Sequence, residues 1–257
     1  METNSIAMLA IFFGLGTLVS CINSIAGGGS TLSLPMMIFL GLPPTVANGT
    51  NRIGILIGNI SSVANLRKHG YLNTRLYWQL FPPTMIGALF GVFFLIKLDD
   101  RLFQGILSVA ICLVVVMSNL KKNILGKPPE HPPEHATWGG FFGFLAVSIY
   151  GCVMQVGVGF LQIFALSRYT GLDLIHVNAL KNALTTTFLL VSTLGLALTG
   201  KVNWLLGLSM ALGAWLGGYI GSKLQQKKGN VFITRFISVT SIAMAVYLIY
   251  DLLQKRT

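Results

Sequence analysis

The sequence predicts an all-α polytopic membrane protein built from two inverted repeats of about five helical segments each, with short, discontinuous helices at glycine-rich breaks. Three observations carry this. Of 257 residues, 53% are hydrophobic and only 10% charged, against about 25% charged in soluble domains; mean hydropathy is +0.72. Apolar runs of about 20 residues, long enough to span a bilayer core, recur along the chain. Glycines and asparagines then recur at a constant offset of 130 residues.

The first run, residues 6–24, comes after Met1–Ser5, which holds one acid and no basic residue. That is a poor signal-peptide start, so the run is expected to stay as a membrane helix. Ala26–Arg52 (AGGGSTLSLPMMIFLGLPPTVANGTNR) organises the chain around it. Three glycines open it, Pro35 interrupts it and Gly41–Pro44 break it again. This predicts a short segment over 31–42 and a third run over 45–66, ending at Arg67, Lys68 and His69. The fourth run, 76–96, contains Pro82-Pro83, which are expected to kink it near its start. The fifth covers 102–120. Residues 121–137 form a polar linker in which PPEH occurs twice in tandem, and proline pairs favour extended backbone. His131 and His135 with Glu130 and Glu134 could bind a metal weakly; a solvated spacer is the preferred reading.

Shifting by 130 residues superimposes Gly27 on Gly157, Gly29 on Gly159, Gly41-Leu42 on Gly171-Leu172 and Asn48 on Asn178. The same shift pairs Ser62 with Ser192, Gly70 with Gly200, Asn73 with Asn203, Gly87 with Gly217 and Gly91 with Gly221. The segments of the second half are then expected near 138–154, 158–170, 174–199, 203–224 and 232–252. The division is a first repeat over 1–120, the linker over 121–137 and a second repeat over 138–257. Five crossings is an odd number, so the halves should be inverted. Placing the 67–75 loop inside puts Arg67, Lys68, Arg75, Lys121, Lys122, Lys127, Arg168, Lys223, Lys227, Lys228 and Arg235 there, 11 basic residues in all. Lys97, Arg101, Lys201, Lys255 and Arg256, 5 in all, fall outside. The asymmetry predicts both termini outside in a multi-pass membrane protein.

The formal charge of +11 does not indicate nucleic acid, because the basic residues sit in short loops rather than one patch. The three cysteines, Cys21, Cys112 and Cys152, lie in apolar runs and suggest neither a disulfide framework nor a zinc site. No nucleophile–base pair, carboxylate pair or GxxxxGK[ST] loop is present, so an enzyme, a cofactor or ATP-driven pumping has no support.

Inverted repeats with broken helices are a pattern of secondary transporters, whose sites lie at the midplane where the breaks meet. Here those places are Gly27, Gly28, Gly29 and Ser30, and Gly157 and Gly159. Each break frees backbone N–H groups at the start of the next helix, where the dipole attracts anions. Asn48, Asn51 and Arg52 share one helical face, and Asn178, Lys181 and Asn182 share the equivalent one. A cation at a membrane helix centre costs at least about 2.5–3.5 kcal/mol on insertion scales and marks a functional site by default. The seven acids all lie in loops or at segment ends, so Arg52 and Lys181 lack an obvious counter-ion and a bound anion is the simplest partner. The alternatives are that the two cations snorkel to an interface, that the glycines only permit close packing, and that the asparagines act as interhelical glue. Asn23, Thr31, Gln155 and Gln162 are weaker candidates, and His69 and His176 fit an interface better than a proton relay.

At these residues the chain resembles the TauE/SafE family of sulfite and organosulfonate exporters. The resemblance rests on Ala26–Ser30, Pro35, Gly41 with Ala47-Asn48-Gly49-Thr50, and a second copy at Gly157–Gly159 and Gly171 with Asn178. It departs at Val158 and Phe160, which replace Gly28 and Ser30, and at Ala165, which stands where Pro35 would repeat. The resemblance implies duplicated halves in the cytoplasmic membrane and ATP-independent movement of small sulfur-containing anions such as sulfite, thiosulfate or sulfonates. An anion-selective channel, or an uptake permease for another small oxyanion or carboxylate, is the competing reading. The expected partners are the anion and the lipid bilayer, and a homodimer is compatible with them.

Overall fold

The structure is a computed structural model that describes residues 5–119 and 138–254. The linker over 121–137, with its PPEH pair and Lys121, Lys122 and Lys127, lies outside the described residues, as do Glu2, Lys255 and Arg256. Among the described residues the chain is all-helical. The helices are α1 (Ile6–Ile25), α2 (Ser30–Phe39), α3 (Pro44–Lys68), α4 (Thr74–Leu95), α5 (Asp100–Asn119), α6 (Trp138–Val153), α7 (Val158–Thr170), α8 (Leu174–Leu198) and α9 (Trp204–Gln254). Four of them, Ile6–Ile25, Thr74–Leu95, Leu174–Leu198 and Trp204–Gly229 within α9, are long and apolar enough to cross a membrane.

Local chemistry sets the boundaries. Gly27 (φ 80°), Gly41 (φ 95°) and Gly70 (φ 78°) adopt left-handed backbone between helices in the first half, where a Cβ would be strained. Gly157, Gly171 and Gly200, each 130 residues on, do the same at φ 71°, 62° and 70°. The Asn73 side chain caps α4 by accepting the Leu76 N–H at 3.0 Å, and Asn203 caps α9 through Leu206 at 3.1 Å. Tyr71 N–H donates to Leu66 O, and Lys201 N–H to Leu196 O, each at 3.0 Å.

Two expectations need correction. Polarity places a loop at 223–235, between segments 203–224 and 232–252. The stretch is instead helical until Gly229, the one non-helical residue inside α9 (φ 67°, ψ −170°). Lys223, Gln225, Gln226, Lys227 and Lys228 are good helix formers, so polarity alone does not end the helix. The second segment is shorter than the expected 31–42: α2 ends at Phe39, and Gly41 turns the chain.

Packing is set by the small residues. Gly213, Gly217 and Gly221 on α9 seat α1 so closely that a Cβ on Gly221 would lie 2.8 Å from Cys21 O. Gly87 and Gly91 on α4 seat α6 likewise, with Leu145 O 2.6 Å and Cys152 Cβ 2.6 Å from the built Cβ positions. Such stripes let helix backbones approach where lipid provides no hydrophobic drive. The first helix of each half therefore lies against the fourth helix of the other. At the centre α3 crosses α8 antiparallel: Arg52 Nη1 donates to Ser192 Oγ at 2.5 Å, and Asn182 Nδ2 to Ser62 Oγ at 2.9 Å. Subtracting 130 turns one pair into the other. α3 carries many polar residues, yet Asn48, Asn51, Arg52, Asn59 and Ser62 are all buried inside the bundle.

The two glycine breaks touch. A Cβ on Gly27 would stand 2.5 Å from the Gly159 α-carbon, and one on Gly159 would fall on the Gly27 backbone. Gly159→Ala is therefore expected to destabilise the protein by about 1–3 kcal/mol, the usual cost of overpacking. Gly14→Ala, inside α1 at a position with nothing within 4 Å, should not destabilise it and is expected to gain a little from helix propensity. Thermal unfolding in detergent measures both, and equal midpoints would contradict the contact.

Candidate functional site

A small cavity opens where the breaks meet. Its volume is about 20 Å³, room for one or two water molecules. Gly27 and Ser30 bring the start of α2 to it, and Val158 and Gly159 the start of α7. Both helices thus present the positive ends of their dipoles. Lys181, Asn182 and Thr185 line it from α8, Ile55 and Asn59 from α3, and Asn23 from the last turn of α1. Gln155 lines it from the second break.

Lys181 is 1% exposed. Its Nζ donates to Asn23 O at 2.7 Å and Ser24 O at 3.5 Å, carbonyls that the C-terminal end of α1 leaves without intrahelical partners. An ammonium has three donors, so one remains for the cavity. Arg52, fully buried, makes the corresponding contact across the molecule: Nη2 donates to Val153 O at 3.2 Å, at the end of α6, and to Asn48 Oδ1 at 3.4 Å. Each cation therefore meets the negative dipole end of the helix that precedes a break. Both side chains are buried inside the bundle rather than extended to its surface, which argues against the snorkelling alternative. Asp173 meets His176 at the start of α8, and among the described residues no carboxylate lies against either cation. Backbone carbonyls attract the two interior charges but do not neutralise them.

The cavity carries further donors. The Asn23 side chain is oriented by Gly29, whose N–H donates to Asn23 Oδ1 at 2.7 Å. Its Nδ2 has no partner among the described residues, and neither has Gln155 Nε2. Gln155 has φ 60°, the one non-glycine residue with positive φ among those described. Such backbone costs of order 1–3 kcal/mol and clusters at functional sites. Its Oε1 accepts from Asn51 Nδ2 at 3.4 Å, and Asn51 Oδ1 accepts from Ser33 at 2.7 Å. Burying a polar group without a hydrogen bond is costly; these two amide nitrogens, and the Asn182 Oδ1 acceptor on the same lining, have no partner among the described residues.

Of the residues singled out from sequence, Gly27, Ser30, Gly159, Lys181 and Asn182 line the cavity, as do the weaker candidates Asn23 and Gln155. Asn51 touches it only through Gln155. Gly28, Gly29 and Gly157 shape the breaks without lining it; the Gly28 carbonyl accepts from Thr31 N and Oγ1. Asn178 lies behind the cavity, where its Nδ2 donates to Ile25 O at 2.9 Å and Gln225 Oε1 at 3.0 Å. Asn48 and Arg52 lie off the cavity toward α6, so the two cations do not line a common pocket as expected. The reason is side-chain direction. Arg52 aligns with Asn182 under the 130-residue shift, and Lys181 with Asn51, so the cations occupy neighbouring rather than equivalent positions. Sequence reasoning misses Asn59 and Thr185 because their counterparts, Leu189 and Ile55, are apolar and the repeat does not mark them. It misses Gln225, fully buried, because the residue sits in a polar stretch that reads as a loop.

Comparison with known proteins identifies the family. The model of the family described as "Sulfite exporter TauE/SafE" matches residues 12–248. Among relatives, a "Probable membrane transporter protein" of Haemophilus influenzae is 25% identical over 96% of this chain and 96% of its own. "Probable membrane transporter protein ORF9" of Sinorhizobium sp is 29% identical over 98% and 96%, and "Probable membrane transporter protein YfcA" of Escherichia coli K12 is 27% identical over 98% and 95%. No solved structure matches the chain. The chain belongs to the TauE/SafE sulfite exporter family of membrane transporter proteins.

Proposed function

We propose that the protein is a secondary transporter, an exporter of small sulfur-containing anions such as sulfite, thiosulfate or sulfonates, acting from the cytoplasmic membrane by alternating access. The observation that carries the reading is the meeting of the Lys181 ammonium, Asn23 Nδ2 and Gln155 Nε2 at a buried cavity with no carboxylate beside it. A donor-rich, positive pocket between two helix N-termini suits an oxyanion with several acceptor oxygens. The family description supplies the sulfur class.

In this reading Lys181 and the α2 and α7 starts hold the anion, with Asn182 and Ser30 beside them. Gly28, Gly29 and Gly157 let the backbone approach it. Arg52, with Asn48, Asn51 and Asn178, holds the crossing in shape and adds positive potential. The cavity is too small for an oxyanion in its present contour, which supports a carrier that opens around its substrate over an open channel. The antiparallel α3–α8 crossing and the doubled contacts support inverted halves over 1–120 and 138–257, rocking about the glycine contact. The loop charges support both termini outside.

Lys181→Gln is expected to stay folded and to bind sulfite or thiosulfate at least about tenfold more weakly, the scale of losing a hydrogen bond to a charged group. A thermal-shift titration reads it, and wild-type protection in the variant removes Lys181 from the site. Arg52→Gln is expected to lower stability by about 1–3 kcal/mol, because Ser192 and Val153 lose a buried partner, while anion protection persists. Unchanged stability with lost protection would instead make Arg52 a direct ligand.

A further inference from the structure

A second hollow, of about 380 Å³, lies between α3 and α4 with α8 as its floor. Its interior is apolar: Val63 and Ala64 face it from α3 and Ala183 from α8. Tyr77 and Trp78 border it from α4, with Trp78 64% exposed. Arg67 stands at the end nearest the turn to α4. It is exposed, and among the described residues it has no ion pair. Lys68 and Arg75 flank it in the chain, both exposed. The groove thus has a greasy body, a cationic mouth and aromatic rings at the level where the apolar span meets the basic loop.

The fold alone does not require this groove. Under the 130-residue shift Arg67 becomes Ala197, Tyr77 becomes Gly207, Ala183 becomes Ile53 and Thr186 becomes Leu56. There Ile53 fills the space: a Cβ on Gly207 would lie 2.8 Å from Ile53 Cδ1. The second half closes by packing what the first half leaves open, and the open copy is the one that carries the cation.

We propose that this groove is a binding site for one anionic phospholipid, with its phosphate on Arg67 and an acyl chain lying along Val63, Ala64 and Ala183. Guanidinium–phosphate pairing is strong and directional. Basic pockets between membrane helices bind acidic headgroups, and Trp and Tyr favour the headgroup level. A hydrated inorganic anion gains nothing from apolar walls, whereas an acyl chain does. The floor residues Ala183 and Thr186 adjoin Asn182 and Thr185 of the central cavity, so the lipid lies one helix face away from it. This site stands independently of the transport reading.

The test is native mass spectrometry of the detergent-purified full chain incubated with phosphatidylglycerol or phosphatidylcholine. The wild type should retain one phosphatidylglycerol in at least tenfold preference. Arg67→Gln, at an exposed position, should abolish the preference. Ala64→Trp, which fills the groove without altering charge, should remove bound lipid of both kinds. Thermal unfolding without lipid checks that both variants fold. Equal retention of the two lipids by wild type, or undiminished phosphatidylglycerol on both variants, overturns the site. The assignment also falls if Arg67→Gln slows sulfite or thiosulfate flux in phosphatidylcholine vesicles but keeps its phosphatidylglycerol, because the groove is then an anion entrance.

Discussion

Positive charge held inside the bundle by the carbonyl ends of interrupted helices governs how the whole molecule is built. An ammonium taken out of water loses several kcal/mol of solvation unless something replaces it. For Lys181 the replacement is the last turn of α1, whose Asn23 and Ser24 carbonyls have been left free by the break at Ala26–Gly29. For Arg52 it is Val153 at the end of α6. Were either helix to run on, its carbonyls would be taken by N–H groups four residues later and the cation would have no partner. The cations therefore require the breaks.

The breaks in turn require the packing around them. Irregular backbone is tolerated at membrane depth only when protein or a cavity surrounds it. Here the surrounding comes from α1 seated in the glycine stripe of α9 and α6 seated in that of α4. This arrangement interleaves the two halves and brings Gly27 against Gly159. The polar face of α3, too hydrophilic for lipid, is covered on all sides and can present Asn59 to the cavity and Arg52 to Ser192.

Much of this is legible in the sequence, for physical reasons. Left-handed turns need glycine, so Gly27, Gly41 and Gly70 and their counterparts at 157, 171 and 200 mark the helix boundaries. Asn73 and Asn203 mark caps. Arg52 and Lys181 stand out because charge in an apolar run is expensive. What stays hidden depends on side-chain direction. One residue of helix turns a side chain by about 100°, so moving the cation from position 51 to 52 within its repeat is enough to aim Arg52 away from the pocket that Lys181 lines. Gln155 is only a weaker candidate in the sequence, one polar residue near a break. Its positive φ and unpartnered nitrogen exist only in three dimensions. The helix through Lys223–Lys228 is hidden because polar residues suggest a loop, when only Gly229 breaks the backbone.

If the anion is taken by one interior site, on the Lys181 side of the glycine contact, a heavy analogue should show it there. Selenite, an oxyanion isoelectronic in its valence shell with sulfite, carries an anomalous scatterer and can be soaked into crystals of the protein. A single strong selenium peak is expected within hydrogen-bonding distance of Lys181 Nζ, between the starts of α2 and α7, with the lining moved apart to admit it. A peak beside Arg52 and Ser192, or selenium found only among the loop cations, would contradict that placement.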